Sequence, residues 1–174
     1  LATRYRVVVP DLRGHGESDA PLWHYSLDQA AEDVRALLDH LSIRQAVFVG
    51  LSMGGYILFA FYRRHAERVK GLVLADTRAQ ADTPEGKESR FQMAQTAYKH
   101  GPAAIADIMI PKLLSPETIR TRPETVQRVR MMIEGNQVSG IAGDLMAMAE
   151  RPDSIPLLKQ IICPTQIVVG EMDH

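Results

Sequence analysis

The 174-residue chain has little cysteine, almost no net charge and no long apolar run, and each shortage removes a class of protein. Its one cysteine, Cys163, has no partner for an intrachain disulfide, so stability must come from a buried core. Placed between Ile162 and Pro164 beside a strand-like run, that thiol reads as packing rather than chemistry. Formal net charge is -1, with Lys and Arg scattered in ones and twos. Without a basic stripe or polybasic patch, neither nucleic acid nor a membrane surface is an expected partner. No stretch approaches the ~20 apolar residues of a membrane span. His, Cys and carboxylates do not cluster as ligands, so no metal and no organic cofactor is expected. No internal repeat or low-complexity segment is visible. What the chain does have is 45% hydrophobic residues, enough for one compact unit with a sizeable core. It opens on Leu1 within a folded pattern, so any leader is hidden; a soluble, cytoplasmic protein of unassigned oligomeric state is the expectation.

The pattern along the chain alternates strands and helices. Arg6 to Val9 is a short apolar β-branched run ended by Pro10 and a turn segment, the mark of a buried parallel strand. Ser26 then precedes Leu27, Ala30, Ala31, Val34, Leu37, Leu38 and Leu41, apolar at helical spacing, with Gln29 completing a capping box. Ala46 to Val49 predicts a strand, Gly54 to Arg64 a helix with cations at its C-terminal end, and Val69 to Ala75 another strand. These alternations predict a mostly parallel sheet covered by helices on both faces. After Asp76 the pattern turns wholly helical, over about 85–99, 103–109, 116–121, 124–134 and 138–150. Thr83-Pro84 and Ser115-Pro116 mark two helix starts, and Gly101 and Gly135 two stops. Strand character resumes at Gln166 to Val169, before the loop that carries Asp173.

The chemistry concentrates at two strand ends. Gly50-Leu51-Ser52-Met53-Gly54 fits G-x-S-x-G between a predicted strand and a predicted helix, the setting of a nucleophile elbow. A serine on so sharp a turn needs a strained backbone, and close approach of strand and helix predicts residues without bulk at Gly50, Gly54 and Gly55. The turn lifts the hydroxyl above the sheet, and the helix N-terminus at Met53 aims N–H groups at the charge that develops in acyl transfer. Asp173 follows the last strand by one short loop, which puts its carboxylate at the same edge of the sheet. Asp11 and Asp76 also follow strands; Asp11 reads as a loop-stabilising residue, and Asp76 would serve only in a permuted arrangement.

Four segments in this order, Val9 to Ser18, the Gly50–Gly55 elbow, Val73 to Thr77 and Val169 to Asp173, resemble the α/β-hydrolase superfamily over the whole chain. The Arg13-Gly14-His15-Gly16 loop, the Leu74 to Arg78 segment and the run at 149–154 are similar to the branch of 3-oxoadipate enol-lactonases and haloperoxidase-like esterases. The resemblance implies an α/β-hydrolase fold truncated at both ends, with residues 1–77 and 151–174 forming a partial core and 78–150 an inserted helical lid. It makes Ser52 the nucleophile, Asp173 the triad acid and Met53 an oxyanion-hole donor of a carboxylic ester or lactone hydrolase. A catalytic histidine and a second oxyanion donor would lie beyond this sequence. His174 adjoins the acid, His65, His40 and His100 fall near helix ends, and His15 and His24 read as surface loop histidines. Six of the eight methionines, at 93, 109, 131, 132, 146 and 148, fall in the lid, and Met132 and Met146 are candidates to line a pocket for a small acyl or lactone group. Arg78 is a candidate contact for a substrate carboxylate. A ligand receptor on the same fold and a cofactor-free haloperoxidase or perhydrolase are the alternatives. Serine at 52 argues against the dehalogenases, which place aspartate there.

The family's topology sets a further strand between Arg6–Val9 and Ala46–Val49, encoded upstream of Leu1. The purified 174-residue chain is therefore expected to fold poorly and to be inactive. Calorimetry and an ester assay on it check this; a cooperative melt with turnover would overturn the expectation.

Overall fold

The computed structural model describes residues 2–22 and 25–173; His24 and His174, both weighed above as histidine candidates, lie outside the described residues. The element order is α1 (Leu27–His40), β1 (Ala46–Leu51), α2 (Met53–His65), a short 3-10 turn (Ala66–Arg68), β2 (Val69–Ala75), α3 (Pro84–Leu113), α4 (Pro116–Thr121), α5 (Pro123–Glu134), α6 (Val138–Ala149), α7 (Ile155–Leu158) and β3 (Thr165–Val168). The three strands form one parallel sheet in the order β1-β2-β3. Helices start where their caps lie. Ser26, Thr83 and Ser115 each accept a hydrogen bond from the N–H three residues on, at 3.0, 3.1 and 3.2 Å. Gly101, at φ 77°, breaks α3 into two runs, because a residue in that conformation cannot continue a helix.

The core is built around α2. Gly55 to Tyr62 are buried without interruption, so this helix is apolar all round over that stretch, and its Phe61 and the Leu72 of β2 are the largest fully enclosed side chains among the described residues. Phe61 packs against the Phe48 ring at 4.8 Å between centroids, tying helix to strand β1. Helix α1 adds Leu27, Ala30, Ala31 and Leu38, and Cys163 packs at the margin of the same cluster, as its sequence setting suggests. A second, smaller cluster of Ala94, Ala142 and Leu145 joins α3 to α6, and Ala147 carries α6 into the main core.

One expectation is corrected here. Arg6–Val9 takes no place in the sheet: no strand pairs with it among the described residues, and backbone without a ladder partner is not a strand. The sheet is parallel and flanked by helices, as the alternating pattern predicts. Helix α2 packs on β1 and β2 with α1 against it, while Val47, Val49 and Leu51 of β1 are 61, 71 and 63% exposed.

The chain leaves the sheet after β2 and returns before α7, and its two crossings are pinned together. Arg151, 5% exposed, donates to Asp82 and to the carbonyls of Met148 and Gln80, and stacks on the Tyr56 ring of α2 at 4.1 Å. Arg90 also binds Asp82, and Ser154 N donates to Ala79 O at 2.8 Å. Burial pushes the Asp82 carboxyl up, but the hydrogen bonds and charges of Arg151 and Arg90 outweigh it and hold it at about 2. Its folded value lies below the ordinary 3.8, so its stabilisation is complete above that value and is lost as pH falls through about 2. Removing one partner of a buried pair leaves the other charge uncompensated. Asp82→Asn in the complete protein is expected to lower stability by about 3 kcal/mol. Urea unfolding at neutral pH checks this, and an unchanged midpoint would show that Arg151 finds equivalent partners.

Candidate active site

Three strand ends meet at one edge. The parallel register sets Leu51 beside Ala75 and Ala75 beside Val168, so Ser52, Asp76 and Val169 each lie one residue past the ladder. Side chains and backbone then lace these ends together. Ser52 N donates to Ala75 O at 2.8 Å, Thr77 Oγ1 donates to Ser52 O at 2.8 Å, and Asp76 N donates to Val168 O at 2.9 Å. The Asp76 carboxylate accepts from Gly170 N at 2.8 Å, and Asp173 N donates to Gly170 O at 3.1 Å. The open end of a parallel sheet is where such folds place ligands.

Ser52 sits at φ 49° and ψ -111°, a conformation that costs a non-glycine residue about 1–3 kcal/mol. The turn lets α2 start at once at Met53 and run back over the strands. Its geometry requires glycine at two positions. A Cβ on Gly50 would lie 2.6 Å from the Gly54 carbonyl carbon, and one on Gly55 would overlap the Thr77 side chain. Gly54 differs from the sequence expectation: a Cβ there meets nothing within 4 Å. The Ser52 side chain is exposed and makes no capping bond to its own helix, so the hydroxyl is available above the edge. The first N–H groups of α2, Met53 among them, have no carbonyl within the helix to bond.

The remaining candidates are distributed more widely. Asp173 is exposed on the loop after β3. Asp76, at φ 41°, spends its carboxylate on the Gly170 N–H. Asp11 accepts from Glu17 N at 3.0 Å, the loop-stabilising part that its position suggests. Met132 and Met146 are 66 and 39% exposed, whereas Met93 and Met148 pack in the α3–α6 cluster. Arg78 lines a cavity of about 120 Å³ with Arg63, Tyr56 and Glu150, and neither Ser52 nor Asp173 belongs to that cavity.

Of the histidines, His65 is held by Glu32 at 2.9 Å and His40 closes α1. His15 is the residue that sequence reasoning misjudged. It is not a solvated loop residue: its Nδ1 lies 2.8 Å from Asn136 Oδ1 and its Nε2 2.6 Å from Asp144 Oδ2. Both partners are more than 120 positions away, so no local pattern could reveal the contact. Among the described residues no group of His, Cys, Asp and Glu could hold a metal ion, and no helix is long and apolar enough to cross a membrane.

A family model described as alpha/beta hydrolase fold matches residues 1–174. The chain is 33% identical over 170 residues to 3-oxoadipate enol-lactonase 2 of Acinetobacter baylyi, covering 98% of this chain and 62% of the relative. Among solved structures, a thermophilic esterase from Thermogutta terrifontis superposes with a TM-score of 0.89 at 44% identity, over 93% of this chain and 60% of its own. The enol-lactonase of Burkholderia xenovorans LB400 superposes with a TM-score of 0.84 at 32% identity, over 92 and 60%. The chain thus spans about three fifths of the length of the proteins it matches.

Glycine at 50 and at 54 should differ sharply in what they tolerate. In the complete protein Gly50→Ala is expected to destabilise by about 2 kcal/mol or more, by forcing strand and helix apart, and Gly54→Ala by less than about 1 kcal/mol. Paired thermal melts check the contrast; equal losses would mean that α2 does not cross β1 as closely as described.

Proposed function

This chain belongs to the α/β-hydrolase fold family, and from that premise we propose that it carries the nucleophile and the triad acid of a carboxylic ester or lactone hydrolase. The observation that supports this reading above all is the strained, exposed Ser52 between β1 and α2, bonded to the end of β2, whose Asp76 in turn holds the loop that leads to Asp173. A backbone cost of this kind persists where the surroundings over-determine it, and it places a hydroxyl where substrate can reach. The relatives lend the substrate class: two bear the name enol-lactonase and one is an esterase.

In the proposed reaction Ser52 Oγ attacks the carbonyl carbon of an ester or lactone while a histidine base takes its proton. In the family's chain order of serine, acid and histidine this base follows the acid, so it is assigned to a part of the protein outside the 174 residues. The Met53 N–H, on the first turn of α2, receives the oxyanion, and the helix dipole adds to that stabilisation. The imidazolium returns its proton to the leaving alkoxide, which in a lactone stays tethered to the acyl group. Water, activated by the same base, then releases Ser52. Asp173 orients the histidine and stabilises its charged form. Residues 78–150 serve as the cover of the site, with Met132 and Met146 turned to the acyl group.

Hydrolysis of p-nitrophenyl esters of increasing chain length by the complete protein tests both parts. Ser52→Ala is expected to lower kcat at least about 10³-fold, and Asp173→Asn substantially but less. Paired Met132→Ala and Met146→Ala changes are expected to shift the preferred chain length. Turnover indifferent to Ser52 would refute the nucleophile assignment, and an unmoved chain-length profile would remove the methionines from the pocket.

A further inference from the structure

His15 joins the loop of residues 11–18 to the segment that holds α5 and α6, and it does so between two acceptors. Asn136 cannot turn its amide nitrogen toward the ring, because Nδ2 donates to the Met132 and Ile133 carbonyls at 2.6 and 3.3 Å. Its Oδ1 therefore faces His15 Nδ1. A carboxylate accepts only, so Asp144 Oδ2 presents a second acceptor to Nε2. The neutral ring has one N–H and would set a lone pair against one of these oxygens; only the imidazolium satisfies both.

The surroundings agree with a charged ring. The hydrogen bond to Asp144 raises the His15 pKa, burial lowers it, and the Asn136 bond and the charges of Asp144 and Asp11 raise it again, for a net rise above the usual value. Asp144 is also faced by Arg13 from the same loop and by Tyr25 from the segment before α1. Arg13 is itself bound by Asp33 at two 2.6 Å contacts. Around the clamp the backbones meet at glycine: a Cβ on Gly140 would overlap Gly14, and one on Gly143 the Tyr25 ring. The clamp thus closes a contact that has no room to slide.

We propose that His15 is a positioning residue that sets substrate specificity: as an imidazolium held between Asn136 and Asp144, it fixes the segment carrying Met132 and Met146 against the loop of residues 11–18. The proposal rests on the reading of residues 78–150 as the cover of the active site. Asn136 bonds the Met132 carbonyl directly, and Met146 lies two residues past Asp144 on α6, so loosening the clamp frees both ends of this wall. The sign of the pH effect follows from the raised pKa. The clamp is complete below the ordinary histidine value of 6.5 and is lost as pH rises through the higher folded value.

Ring-nitrogen NMR of the complete protein, labelled at histidine, reads the clamp directly, and ester hydrolysis across the same pH range reads its consequence. His15 is expected to carry protons on both ring nitrogens at pH 6.5 and to titrate above that value, with Asp144→Asn lowering the midpoint. The ratio of kcat/KM for long against short p-nitrophenyl esters is expected to change about tenfold as the wild type passes that midpoint. In His15→Gln the ratio should not respond to pH. A single neutral tautomer at pH 6.5, or a wild-type ratio flat with pH, would overturn the proposal. Absence of all ester turnover would instead remove the hydrolase reading and the specificity role with it, while the titration, which needs neither variant nor turnover, would still decide whether the clamp exists.

Discussion

The left-handed turn at Ser52 is the constraint on which the rest of the described structure hangs. Only a backbone near φ 49° lets α2 leave β1 in a single residue and fold back over the sheet. That return path is what buries Gly55 to Tyr62 in an unbroken run and makes α2 the centre of the core. The strain is held by specific bonds, from Ser52 N to Ala75 O and from Thr77 Oγ1 to Ser52 O, and by a crossing so close that Gly50 has no space for a Cβ. Local cost and global packing are therefore one arrangement: burial of α2, at about 25 cal/mol per Å² of apolar surface, readily exceeds the 1–3 kcal/mol stored at the turn.

The same helix anchors the other half of the molecule. Tyr56, one turn into α2, carries the Arg151 guanidinium on its ring, and Arg151 in turn holds Asp82. A buried charge of this kind is worth keeping only when every neighbour is placed to receive it, which fixes the two crossings between sheet and helical segment with little freedom. The α3 and α6 helices also pack on one another through a cluster of their own, Ala94, Ala142 and Leu145. The His15 contact then closes the α5–α6 side of this segment onto the loop of residues 11–18, where Gly14 and Gly140 leave no space between the backbones.

Local chemistry was legible in the sequence to the degree that it was encoded in neighbours. Ser26, Thr83 and Ser115 start helices because a short side-chain oxygen three residues before an N–H is a local fact, and Gly101 ends a run for an equally local reason. The elbow was readable because strand, glycine, serine and helix stand next to one another. Arg6–Val9 misled because apolar β-branched composition states a preference for strand, whereas a ladder needs a partner that no described residue supplies. Gly54 misled because the motif treats its glycines alike, and only the three-dimensional crossing tells which one faces backbone. His15 was beyond reach for a related reason: a charged ring between Asn136 and Asp144 depends on tertiary placement alone, and nothing beside it in the chain distinguishes it from a solvated histidine.

The choice between Asp76 and Asp173 shows how such placement assigns parts to similar residues. Both carboxylates follow strands that end at the same edge, though only a permuted arrangement would give the part to Asp76. Asp76 is drawn into the left-handed region and commits its oxygen to Gly170 N, the first residue of the loop that leads to Asp173. Gly170 O then accepts from Asp173 N, so the loop is fixed at both ends of a four-residue turn. An acid already bound to backbone is poorly placed to orient an imidazole, while one carried on an ordered, exposed turn is free to do so. On this reading Asp76 acts one step removed from the chemistry: it orders the turn on which the proposed triad acid stands, and its backbone conformation, costly in isolation, is repaid in the rigidity of that support.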